Sequence, residues 1–411
     1  MKKLILPVIF LAVLTGCSSE STIELSAVTV PVMGTTLTES TAPSTEASTE
    51  TETSASEEKN DKKMSYKVEK IYKEMDLNEK VCQMFMAAPE TLAHYDSILY
   101  ADDWFKSCYE EYPIGGFIYF ENNISYSQQL TDLLSQTQEM AENRGIGVFQ
   151  AVDEEGGNIT RVQKMLWTDP VRDMKYYGGL NDYDQAYNAG KTIGAYLAEY
   201  GFNVDLAPVA DVEIDSYNEL GNRIFSSDPI VVSDMSAAVI DGLHSQDIAA
   251  TLKHFPGLGA GNGNTHYSSV YIDRSYDQLK VSEFPAFKGG LEAGCEFVMV
   301  GHQITTAAGD DLPSDLSPVV VNDWLREELG FEGIVITDSH AMGAITGMYT
   351  SSEAAVMAIK AGVDIVLMPY DLQGAIEGVK TAVNTGKLPI EQINESVIRI
   401  LEAKEKMGLL N

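Results

Sequence analysis

From about Ser65 onward, short continuous runs of apolar and β-branched residues recur at 81–87, 114–120, 147–152, 204–212, 249–255, 296–301, 333–337 and 364–368. Runs that do not alternate with polar residues suit strands buried on both faces of a parallel sheet. The stretches between them are long enough for a helix each. In 349–362, Thr350 and Glu353 stand at capping-box spacing and Gly362 supplies the stop. The segment 322–329 ends at Gly330 in the same manner. Eight strand–helix units, with no Gly-x-Gly-x-x-Gly after the first strand, predict an α/β fold in the form of a (β/α)8 TIM-type barrel rather than a doubly wound open sheet. The barrel would be a single domain over residues 65–411.

The first 64 residues read differently. Lys2 and Lys3, then the apolar run 4–14, then Leu14-Thr15-Gly16-Cys17 form a charged region, a hydrophobic region and a cleavage box. Eleven apolar residues are too few to span a bilayer. The box resembles a bacterial lipoprotein signal, which implies removal of residues 1–16 and acylation of Cys17. Residues 17–64 are rich in Ser, Thr and Glu with few large apolar side chains, so burial cannot offset their ordering entropy. As a flexible tether they would span roughly 35–40 Å r.m.s. and about 150 Å when stretched. The expected location is the outer face of the bacterial cytoplasmic membrane, held by the lipid on Cys17.

Charge narrows the partners. Against 61 Asp and Glu the chain has 28 Lys and Arg, a formal net charge of -33. That field repels phosphate backbones and anionic polymers, which excludes nucleic acid and favours a small or neutral ligand. Only 4 Cys are present, none in a Cys-x-x-Cys or Cys/His cluster, so neither a disulfide scaffold nor zinc is expected. Cys82, Cys108 and Cys295 read as small buried apolar residues, with a pairing of two of them open. No metal or cofactor is called for.

A barrel carries its chemistry on the loops after the C-terminal strand ends. There the sequence places Asp153-Glu154-Glu155, Asp211 with Asn222-Arg223, Lys253-His254, His302, and Asp338-Ser339-His340. Five successive apolar strands ending in ionisable groups point to one polar pocket. Asp338, after Gly333-Ile334-Val335-Ile336-Thr337, is positioned to attack an electrophilic carbon or stabilise a cation; a turn-capping Asp is the plainer alternative. The loop 257–266 holds four glycines, which suggests mobility or close backbone approach to a ligand, and no Gly-Lys-Ser/Thr follows to make it a phosphate loop. In that loop His266 is the group that titrates near neutral pH, hence the candidate proton carrier.

Five blocks together carry a resemblance: Val152 to Arg161 (VDEEGGNITR), Asp205 to Val212 (DLAPVADV), Gly221 to Pro229 (GNRIFSSDP), Lys253 to Gly257 (KHFPG) and Val335 to Gly343 (VITDSHAMG). In this order and spacing they resemble glycoside hydrolase family 3, most closely its single-domain β-N-acetylglucosaminidase branch. The resemblance spans 67–410. It implies a retaining two-step displacement with Asp338 as nucleophile and the loop histidine, His266, as acid/base in place of the usual second carboxylate. It also implies that Asp153, Arg161, Arg223, Lys253 and His254 hold the sugar's hydroxyls and acetamido group. The chain departs from the pattern at Asn264, where the family has an Asp two residues before the histidine, and at Leu258 and Ala260. An amide can orient an imidazole but cannot stabilise its charge. In the serine-protease triad, the worked case of such an Asp→Asn change, turnover falls about 10⁴-fold.

The expected function is a retaining β-N-acetylhexosaminidase acting on terminal β-linked N-acetylglucosamine in cell-wall fragments or other amino-sugar glycosides. Two alternatives follow from Asn264: a phosphorylase, for which phosphate needs no general base, and a catalytically weak carbohydrate-binding lipoprotein.

Overall fold

The computed structural model describes residues 64–411. The signal segment, Cys17 and nearly all of the tether lie outside the described residues. Eight parallel strands form one sheet: β1 (Phe85–Ala87), β2 (Gly116–Tyr119), β3 (Phe149–Val152), β4 (Val204–Asp205), β5 (Ala249–Phe255), β6 (Phe297–Val300), β7 (Ile334–Thr337) and β8 (Val366–Leu367). Their order is β8-β1-β2-β3-β4-β5-β6-β7. A parallel bridge between Ile336 and Ile365 joins the two ends. The Thr337 amide donates to the Ile365 carbonyl at 3.0 Å, and the Leu367 amide donates to Thr337 Oγ1 at 2.9 Å. Every predicted apolar run thus contributes a strand, and the count closes.

The observed bounds depart most from the expected ones in three places. Val81 and Cys82 belong to the helix Leu77–Gln83 rather than to the first strand. Asp76 starts that helix with a reciprocal capping box to Glu79, so the apolar residues after it are drawn onto a buried helix face. In 204–212 only Val204–Asp205 pairs regularly; Val209 makes an isolated bridge to Lys253. The segment predicted as a helix at 322–329 is wound as a π-helix over Val319–Glu328. The capping box of Thr350 and Glu353 and the Gly362 stop form as expected.

Helices pack around the outside. The longest, Tyr183–Tyr200, lies against Pro229–His244 through two glycines. A Cβ on Gly190 would stand 2.1 Å from the Val239 carbonyl oxygen, and one on Gly242 would stand 2.2 Å from that of Tyr187. At the N-terminal end of the barrel, Phe149 meets Phe297 edge-on with ring centroids 5.2 Å apart. Below them the last helix, Ile390–Lys406, inserts Lys404, whose ammonium donates to Gln83 Oε1 at 2.7 Å and sits 4.9 Å from the Phe149 ring centroid. That end is plugged, and any cavity must open at the other. Cys82, Cys108 and Cys295 are all free; Cys82 and Cys295 are buried and Cys108 is half-buried.

Candidate active site

At the C-terminal end of the strands lies a cavity of about 380 Å³ lined by, among others, Asp153, Glu155, Arg161, Glu219, Arg223, Lys253, His254, His266 and Asp338. Seven of the eight site residues named from sequence therefore face one space. The exception is Asn264. Its Oδ1 accepts the His266 backbone N–H at 2.9 Å, so the amide shapes the turn instead of meeting the imidazole.

Strand β5 supplies two adjacent side chains to the cavity, which a regular strand cannot do because successive residues face opposite ways. The β5–β6 register shifts between Lys253 and Phe255, and an irregularity of this kind re-aims side chains. Lys253 then donates to Asp153 Oδ1 at 2.8 Å and to Glu155 Oε1 at 2.6 Å. Arg223 grips Glu155 through Nε and Nη2, both at 2.8 Å. Glu155 is the shared counter-ion of the two cations: burial alone would raise its carboxyl, and Arg223 followed by Lys253 instead hold it far below the ordinary range. Lys253 shows the mirror image, with burial opposed by Asp153 and Glu155 so that its ammonium is retained.

His254 is oriented from behind. Asp211, fully buried, accepts His254 Nδ1 at 2.8 Å and the His254 backbone N–H at 3.1 Å, while its other oxygen accepts the Leu258 N–H at 2.5 Å. On its other side His254 Nε2 lies 3.4 Å from Arg223 Nη2. Arg161 is positioned by Glu154, whose carboxylate collects the backbone N–H groups of Arg161, Val162 and Gln163 at 2.6, 2.9 and 2.9 Å. Arg161 also reaches Glu121 at 3.3 Å.

Asp338 follows β7 and lies partly buried in the cavity, with Oδ1 accepting the Ser339 N–H at 2.7 Å. Burial works to raise its carboxyl; His302, His254, the Ser339 amide and Lys253 together bring it below the usual carboxylate range. It is therefore an anion at neutral pH.

His302 and His340, expected on the rim, are instead buried beneath it. His302 donates from Nδ1 to Asp315 Oδ1 at 3.1 Å and from Nε2 to the Ser339 carbonyl at 2.8 Å. Acceptors at both nitrogens require the doubly protonated ring. Burial would lower its pKa, but Asp315, Asp338 and the Ser339 carbonyl raise it to about 9. His340 donates from Nε2 to Asp315 Oδ2 at 2.8 Å and leaves Nδ1 without a partner, the pattern of a neutral ring, and burial lowers its pKa accordingly.

The glycine-rich loop packs on protein. A Cβ at Gly259 would lie 1.9 Å from the Val212 carbonyl oxygen, and one at Gly261 would lie 2.6 Å from Val270. These two glycines serve close approach to the neighbouring loops. His266 is exposed at the cavity mouth, and its ring makes no hydrogen bond among the described residues.

Sequence reading did not single out Glu155, Asp315 or Glu219 as functional. Glu155 sits inside a quoted block, but its two cation partners are 68 and 98 positions away and only folding reveals them.

Comparison with known proteins agrees with this geometry. Residues 76–403 match the family described as "Glycosyl hydrolase family 3 N terminal domain". The β-hexosaminidase of Tolumonas auensis is 33% identical over 266 residues, covering 64% of this chain and 78% of that protein. β-Hexosaminidase A of Pseudoalteromonas piscicida is 27% identical over 322 residues, and there the match spans 54% of the relative's length. Among solved structures, a glycoside hydrolase family 3 β-N-acetylglucosaminidase from Paenibacillus sp. FPU-7 superposes with a TM-score of 0.77 at 30% identity, over 82% of this chain and 63% of that one. The match across 76–403, together with an anionic aspartate and a charged ring of side chains at the C-terminal mouth of an eight-stranded barrel, places the chain in glycosyl hydrolase family 3.

Proposed function

We propose that the protein is a β-N-acetylhexosaminidase that removes terminal β-linked N-acetylglucosamine with retention of configuration. In the first step an Asp338 oxygen bonds to the anomeric carbon as the glycosidic C–O bond breaks, and His266 gives its proton to the departing oxygen. In the second, water bonds to that carbon, His266 takes the water's proton, and the ester bond to Asp338 breaks. Asp153, Lys253, Arg223 and His254 offer the sugar a fixed set of donors and acceptors, and Arg161 lines the same wall. The observation that carries this reading is that a low-pKa carboxylate at the end of β7 and the loop histidine face one cavity in which Asp153, Glu155, Arg223 and Lys253 are already paired and preorganised.

Relatives named β-hexosaminidase support the amino-sugar substrate. The Leu14-Thr15-Gly16-Cys17 box supports export and a lipid anchor on Cys17, with cell-wall fragments as the accessible substrate. The test is release of p-nitrophenol from p-nitrophenyl N-acetyl-β-glucosaminide. Asp338→Asn is expected to abolish it and His266→Ala to weaken it; undiminished turnover in the Asp338 variant discards the assignment.

A further inference from the structure

The His266 ring has no acidic partner at Asn264, so any carboxylate that serves its loop must come from elsewhere in the cavity. Of the four carboxylates lining the cavity, Asp153 and Glu155 are committed to Lys253 and Arg223, and Asp338 is the proposed nucleophile. Glu219 remains. It comes from the loop after β4, is half-buried, and forms no ion pair with a described residue.

Its contacts are specific. Glu219 Oε1 accepts both the backbone N–H of Thr265 at 2.9 Å and the Thr265 hydroxyl at 2.8 Å. Thr265 immediately precedes His266 and is itself buried, 2% exposed. The other side of the loop is docked on the segment that follows the nucleophile: Ala344 N–H donates to the Thr265 carbonyl at 3.1 Å, and Gly343 N–H donates to that of His266 at 2.9 Å. Gly343 permits this approach, since a Cβ there would be 2.7 Å from the Tyr267 carbonyl oxygen and 2.9 Å from that of His266. The backbone carrying the proton carrier is thus clamped between Glu219 and the Asp338 loop. Glu219 Oε2 has no hydrogen-bond partner among the described residues.

We propose that Glu219 is the positioning carboxylate of His266, fixing the histidine's backbone through Thr265 from a different loop. The proposal rests on the glycosidase reading, with His266 as the acid of the first step. A two-point, charge-assisted grip fixes the loop more firmly than neutral bonds would. A loosened grip lets the imidazole stray from the departing oxygen, so the loss falls on leaving groups that need its proton.

Glu219→Ala removes the acceptors for Thr265, and Glu219→Gln restores a neutral one. The measurement is kcat/KM on two aryl N-acetyl-β-glucosaminides, one with a phenolate leaving group that needs protonation and one with dinitrophenolate that does not. For Glu219→Ala the expected result is a loss of about tenfold or more on the phenyl substrate and less than threefold on the dinitrophenyl one, with part of the phenyl activity recovered in Glu219→Gln. Thr265→Ala, which cuts one of the two bonds, is expected to show the same selectivity with a smaller loss. An equal loss on both substrates in Glu219→Ala, or no loss at all, overturns the proposal. Asp338→Asn run alongside separates the two readings. If that variant keeps its activity, the glycosidase assignment itself fails; if it is dead while Glu219→Ala behaves like the parent, only the role of Glu219 fails.

Discussion

Replacing Asp315 by Asn removes the carboxylate that two buried histidines share beneath Asp338. His302 has its pKa lifted from an ordinary 6.5 to about 9 in the folded protein. At about 1.4 kcal/mol per unit, that lift corresponds to about 3 kcal/mol of stability at neutral pH, with the pair counted once and not again from the aspartate's side. A folded pKa above the unfolded one makes this contribution fully present below pH 6.5, and it is lost as pH rises through about 9. Removing one member of a buried charged pair generally costs about 3–5 kcal/mol, in agreement. Urea unfolding followed by circular dichroism at pH 7 and pH 9.5 checks the reasoning. The parent should lose stability between the two, and Asp315→Asn should be weaker at pH 7 and show a much smaller drop between them. Asp338 supplies a second signal: with His302 less charged, its carboxyl is held down less, and the acid limb of kcat/KM should move to higher pH. An unchanged urea midpoint at pH 7, or an alkaline loss as steep as the parent's, refutes the reading of His302 as a buried imidazolium.

Other outcomes follow from the same structure. Burial raises the Asp205 carboxyl well above the usual range, and its Oδ2 has no partner among the described residues; an ionised form is penalised above the unfolded pKa, so Asp205→Asn should leave the thermal midpoint at pH 7 unchanged or raised. A drop equivalent to about 3 kcal/mol would mean that the native group is a paired anion. Gly190→Ala should destabilise by about 1–3 kcal/mol in calorimetry, because the methyl would meet the Val239 carbonyl and two helices must part. A thermal midpoint equal to the parent's would show that this seam can yield.

Much of the barrel is legible because burial on both faces erases alternation. In Ala249–Phe255 all seven residues are buried, and the predicted and observed bounds coincide. The same rule misassigned Val81 and Cys82, since a short apolar run cannot distinguish a strand from a helix buried on one side, and the Asp76 cap lay outside the run. Within the site, ionisable residues at strand ends identified Asp153, Arg223, Lys253, His254 and Asp338 correctly as neighbours. That signature failed for His302 and His340. It records where a strand stops, and their depth depends on the Asp315 carboxylate, contributed by a short 3-10 turn at Ser314–Leu316 that no periodicity marks. Glu219 was invisible for a similar reason, since its partner Thr265 lies 46 positions away across two loops.

The three acids that follow β3 answer to three unrelated constraints. Asp153 reaches a lysine at the cavity wall, Glu154 turns away to gather three amides, and Glu155 bridges two cations. Side chains so alike in chemistry invite exchange, yet sliding the segment by a single position would strand a carboxylate among groups that cannot neutralise it. The tripeptide therefore acts as its own gauge: this stretch of chain has one alignment that satisfies all three, and library designs that scramble Asp and Glu here while conserving charge should still recover mostly dead clones.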